Sequence, residues 1–218
     1  MEPAAHQVPA ERAALATAAA ERMLGVLAVT ASARTLSTVN RLIDDLWSIL
    51  ANGTAVDAEA IIRRIERLTE AQATNPDRRS YLAMEALEAV ATAYAELRPG
   101  HPMAGRYEDV AAGIMSALDG LERQEQQSGP RMIDPRKPPP PGRFEADELG
   151  RQRDDVAVLR AQASVADAIP ALRTGSEAVG AQLLQTVRRL VGAAYPSMRS
   201  RIAMRLGLSE QVTLRDAD

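Results

Sequence analysis

Cysteine is absent from this 218-residue chain, and with it go disulfides, thiolate nucleophiles and thiolate metal sites. Histidine is nearly as scarce: only His6 and His101 occur, preceded three residues earlier by Pro3 and Arg98. A di-iron bundle needs Glu-x-x-His pairs on facing helices, so that motif is excluded and no metal or other cofactor is expected. Aromatic residues are few (Trp47, Phe144 and four Tyr), which leaves little for base stacking and little of what a sheet prefers. Charge of one sign is lacking as well. The formal net charge of −3 argues against a generally nucleic-acid-binding surface, though not against a local basic patch. No Walker-type loop, dinucleotide-binding glycine pattern, nucleophile elbow or His-based triad is present. Glu21 and Arg22 interrupt the first apolar stretch, and residues 1–10 carry no basic n-region. Neither a signal peptide nor a membrane span is therefore expected, and the expected location is cytoplasmic.

What is abundant is small and aliphatic. Hydrophobic residues make up 46% of the chain, mostly Ala, Leu, Val and Ile, which favours close helix-on-helix packing. Many Ala and Arg with very few Lys also point to a GC-rich bacterial genome. The first helix is expected from near Pro9 to about Ala33. In the second, Val39, Leu42, Ile43, Leu46, Trp47 and Leu50 form one stripe on a 3.6-residue period, with Ser37 or Thr38 as cap and Asn52-Gly53 as stop. Asp57 caps a third helix that buries Ile61, Ile62, Ile65 and Leu68. Further helices are expected over 79–97 and 106–126. Pro138 to Pro141, preceded by Pro130 and Pro135, force an extended spacer. Another helix follows over 144–167, Pro170 kinks it or starts a new one, and helices over 176–194 and 197–206 complete the chain. The expected fold is all-α, a compact multi-helix bundle of antiparallel packed helices. Its domain covers 9–175, with a C-terminal helical extension over 176–218 docked on it or used in self-association.

Few side chains look chemical. Asp44-Asp45 lacks a second acid one turn on, since Ser48 and Ile49 stand there, so a magnesium patch is incomplete and a polar helix flank is the better reading. The mixed-sign run Glu145, Asp147, Glu148, Arg151, Arg153, Asp154 and Asp155 is expected to be a solvated face. Between Ser176 and Leu206 the charge reverses. Arg188, Arg189, Arg199, Arg201 and Arg205 face only Glu177, which makes them the candidate partner-binding residues, although a rim paired with acids of the same chain is the commoner outcome.

The run Arg41-Leu42-Ile43-Asp44-Asp45-Leu46-Trp47-Ser48-Ile49-Leu50 resembles the "LDLIWE-L" stretch of the YjaG-type family, bacterial helical domains of unknown function. Glu21-Arg22-Met23-Leu24, Ala83-Met84-Glu85-Ala86-Leu87, the "AL-GLE" of Ala117 to Glu122, Glu145 to Gln152 and Leu172-Arg173 follow the family's order. The likeness covers roughly 10–180. The chain departs from the pattern in a shortened Thr30–Leu36 turn, in the proline spacer and in the extra residues from Gln182 onward. The resemblance implies an all-helical fold and transfers no catalytic residue.

Three function classes follow. The leading one is a non-enzymatic interaction protein with another protein as partner, such as the immunity or antitoxin member of a toxin pair, with no membrane partner and with homo-oligomers allowed. The second is a nucleic-acid-associated regulator using the C-terminal arginines. The third is an enzyme with a carboxylate-lined pocket around Asp44 and Glu85.

Overall fold

A computed structural model describes residues 9–74, 76–98, 100–126 and 140–194. They form α1 (Pro9–Arg22), α2 (Leu24–Thr30), α3 (Ala33–Asn52), α4 (Ala58–Glu66), a 3-10 turn (Thr69–Gln72), α5 (Arg78–Glu96), α6 (Tyr107–Gln126), α7 (Arg143–Arg160) and α8 (Val165–Ala194). No strand occurs among the described residues, and the chain is an all-α bundle of packed helices.

Its axle is α1 continued by α2. Every residue from Ala13 to Met23 is buried, so α1 is enclosed on all sides, by α3, α5, α6, α7 and α8. Alanines at 13, 14, 16, 18, 19 and 20 let those neighbours come close, and α5 repeats the device with Ala83, Ala86, Ala89, Ala91, Ala93 and Ala95. Pro9–Thr30 is long and apolar enough to cross a membrane by length and composition, yet 83% of its apolar window is buried among the other helices. The two charges within it do not break the helix. The break falls one residue later, at Met23, whose N–H is shared between the carbonyls of Ala20 (3.1 Å) and Ala19 (3.3 Å), a single tightened turn.

Further boundaries differ from those expected. The second expected helix starts at Ala33 rather than beyond Ser37, because Ser32 accepts from the Thr35 N–H. Glu70 of the 3-10 turn secures that end, accepting from the Ser32 N–H at 2.8 Å and the Thr35 hydroxyl at 2.7 Å. The helix after the proline spacer ends at Arg160, and Pro170 lies inside α8 rather than between two helices. In the second turn a proline removes one intrahelical hydrogen bond, the one to Ala166, which is exposed. Because α8 is one helix of 30 residues, the division expected at 175/176 falls within it, and α8 packs against α1, α2, α3, α6 and α7. Prolines 138 and 139 and everything beyond Ala194 lie outside the described residues.

Where α7 begins, its N-cap residue is Gly142, and the capping carboxylate comes from α6. Asp119 accepts from the N–H groups of Phe144 (3.0 Å) and Glu145 (3.1 Å). A Cβ at position 142 would lie 2.1 Å from the Asp119 carboxyl carbon, so only glycine admits this clamp.

The α7 face expected to be solvated carries a fully buried charge. Glu148 is fully buried, and its carboxylate takes the Arg22 guanidinium in a two-point grip of 2.6 and 3.1 Å. Asp155 accepts a third bond from Arg22 at 2.7 Å, and Gln152 donates to Glu148 at 3.3 Å. Burial alone would disfavour the guanidinium, but the two carboxylates more than offset it, so Arg22 stays charged. Burial and the neighbouring Glu148 hold the Asp155 carboxyl above its ordinary value even so. On the α5 side, Arg12 stands 3.2 Å from the fully buried Glu96, in a pose too poorly aligned for a hydrogen bond.

Two predictions follow from this packing. Gly25 crosses Gly180 so closely that an added Cβ would sit 2.2 Å from the Gly180 carbonyl oxygen, whereas one at Gly113 meets nothing within 4 Å. Gly25→Ala should lose about 1–3 kcal/mol in urea unfolding, while Gly113→Ala should gain up to about 1 kcal/mol. Arg22→Met should cost about 3–5 kcal/mol because it strands Glu148, and adding Glu148→Leu should recover most of that loss. A double variant as unstable as the single one would show that the charge itself was not the cause.

Candidate functional site

The residue before Arg22 turns the other way. One step along a helix is a rotation of about 100°, enough to send Glu21 toward α3 and α8 while Arg22 enters α7. Glu21 lines a groove of about 440 Å³ between α2, α3 and α8. Its floor is the Gly25–Gly180 crossing with Ala181, and Leu24, Leu36, Ile43 and Leu184 form apolar walls. The polar side chains in the lining are Glu21, Asn40, Asp44, Arg173 and Glu177.

Arg173 is the hub. It donates to Asp44 at 2.5 Å and to Glu177 at 3.0 Å, and its Nε stands 3.7 Å from Glu21 Oε1. Glu21 itself is 4% exposed and is fixed by the Trp47 indole N–H, which donates to Oε2 at 2.9 Å. Oε1 accepts no hydrogen bond from any described residue. Burial drives the Glu21 carboxyl up to about 7; the Trp47 bond and Arg173 work against that shift, and Glu177 and Asp44 reinforce it. A carboxyl that titrates near neutrality in a concave site is a common signature of a functional position.

The residues singled out from sequence are scattered. Arg188 is exposed on α8. Arg189 pairs with Glu125 and stands 3.6 Å from Glu122, both on α6, so it belongs to an intramolecular rim. Arg199, Arg201 and Arg205 lie outside the described residues. Asp44 is in the groove, held by Arg173, whereas Glu85 is half-buried on α5 beside Tyr81 and Glu88 and takes no part in it. The carboxylate pair expected around Asp44 and Glu85 is thus replaced by Asp44 and Glu21. Glu148 and Asp155 are corrected from a solvated face to a buried network. Sequence reasoning passed over Glu21 and Arg173. The available signal for Glu21 was a charged doublet inside an alanine-rich helix, a place where ionised residues are buried only with partners.

Among the described residues no group of three or more His, Asp or Glu is placed to hold a metal ion. The groove offers carboxylates, one guanidinium and one amide, and no hydroxyl, thiol or imidazole nucleophile. Compared with known proteins, the chain matches no family model, no curated protein and no solved structure.

The Glu21 carboxyl gives the site a pH signature. A carboxyl whose folded-state value lies above its unfolded one keeps its proton longer in the fold. Folding is therefore favoured most below the ordinary value of 4.5 and loses stability as pH rises toward about 7, by up to roughly 3 kcal/mol. Glu21→Gln keeps an acceptor for Trp47 and abolishes the titration. The stability difference between wild type and this variant, from urea unfolding at several pH values, should grow in the variant's favour between pH 4.5 and 7 and stay level above. A flat difference would place the Glu21 proton elsewhere.

Proposed function

We propose that this protein is a non-enzymatic helical interaction protein that holds a segment of a partner protein in the groove between α2, α3 and α8. In its narrowest form it neutralises that partner, as an immunity or antitoxin protein does. One observation carries the reading: the groove combines apolar walls with an excess of carboxylates, and its lining includes no hydroxyl, thiol or imidazole. Such a surface selects a partner by charge and excludes water by shape, without supplying a reaction. Blocking of a partner is supported by that acidity, since proteins acting on nucleic acid are commonly basic at their working face. The likeness to YjaG-type helical domains and a cytoplasmic, bacterial setting belong to the same proposal.

The nucleic-acid reading draws less support, because Arg189 is engaged by Glu122 and Glu125. An affinity capture from the source cell separates the two. The interaction reading expects one stoichiometric protein whose activity falls on binding, and capture that weakens when Ala28, an exposed groove residue, becomes Arg. Salt-sensitive retention on DNA with no protein captured would replace it with the regulator reading.

A further inference from the structure

The groove is specific about the ligand atom it lacks. Three carboxylates, those of Glu21, Asp44 and Glu177, converge on the single guanidinium of Arg173, which leaves the cluster a formal −2 when Glu21 is ionised and −1 when it is protonated. Cations on neighbouring faces are committed elsewhere: Arg22 to Glu148 and Asp155 on α7, Arg12 to Glu96 on α5. Within the cluster the oxygens are unequal. Glu21 Oε2 is taken by Trp47, and Asp44 and Glu177 each accept from Arg173. Glu21 Oε1, on a side chain more than nine-tenths buried that lines the groove, has only the Arg173 Nε as a charge partner, at 3.7 Å and beyond hydrogen-bond reach.

From this the geometry points to a lysine side chain of the partner segment as the groove's occupant, its ammonium on Glu21 Oε1 and its aliphatic stem along the apolar walls. The inference rests on the interaction reading above and names the chemistry of the partner. Lysine is preferred over arginine because only one oxygen of Glu21 is left without a hydrogen bond. A planar guanidinium gains its advantage by gripping both oxygens of a carboxylate, while an ammonium is a point charge that needs only one. The stem suits a channel whose floor is glycine and alanine backbone, where the four methylenes of lysine lose contact with water. An ammonium at Oε1 also favours the ionised form of Glu21, so near neutral pH its arrival expels the proton that burial retains there. Trp47, the only tryptophan of the chain, donates to that same carboxyl and reports the change.

The test is a titration of the ¹⁵N-labelled full chain at pH 7, following the single indole N–H resonance. The probes are N-acetyl-lysine methylamide, its arginine and norleucine counterparts, and cadaverine. The lysine compound should shift the Trp47 resonance saturably, about threefold or more tighter than the arginine compound, and norleucine should give no saturable shift. Asp44→Asn, a change at an exposed position that leaves the core intact, should weaken the lysine compound about threefold. Equal shifts from norleucine and lysine, or tighter binding of arginine, would overturn the assignment. Cadaverine binding far more tightly than the lysine compound would also overturn it, in favour of a free diamine. Capture of a partner that is indifferent to Asp44→Asn, with no indole shift from lysine, would retain the interaction reading and remove this one. Lysine binding without any partner captured would overturn the interaction reading and, with it, the partner segment as the source of the lysine.

Discussion

A guanidinium sealed inside a helical bundle imposes its requirements on every element around it. Arg22 cannot shed its proton and cannot reach water, so Glu148 and Asp155 must be delivered to it, and α7 must lie against α1 at one height and one rotation. The depth of α1 in the bundle makes this demand sharp. A helix enclosed on all sides by alanine-mediated contacts has no exposed flank to which a charge can be moved. The Asp119 clamp then sets where α7 starts, so its acidic positions arrive in register with Arg22. Specificity of arrangement, more than net stabilisation, is what a buried ion pair of this kind contributes.

The same enclosed helix carries the groove carboxyl. Glu21 and Arg22 are neighbours in sequence and yet serve opposite sides of the bundle, one facing a closed network and one an open concavity. Arg22 has its charge matched within the fold, whereas Glu21 is satisfied on one oxygen only. That asymmetry separates a structural charge from one available to a ligand. Position along the chain or residue type would not have distinguished them.

Much of the architecture was legible from local pattern. The stripe from Val39 to Trp47, the left-handed stop at Gly53 and the Asp57 cap are all short-range signals, and each stands in the fold as its residue types dictate. What escaped was whatever depends on a distant partner. The Ser32 cap is reinforced by Glu70, 38 residues on, and the start of α7 is capped by Asp119, 25 residues before it. Glu148 looked solvated because a mixed-sign run usually is, and only Arg22, 126 residues away, makes its burial tolerable. The site was hidden for a related reason. Its cluster is assembled from α1, α3 and α8 around Arg173, and no spacing within one segment announces it.

The Gly25–Gly180 crossing has a consequence for how this surface can diversify. Its floor is main chain on both sides, so substitution there is closed to side chains larger than hydrogen at position 25. The walls are ordinary side chains on three separate helices, and Ala28 and Asn40 among them are exposed. Selection can therefore exchange the groove's rim residue by residue while its depth stays constant. A lineage of such proteins would inherit one slot and vary the key that fits it.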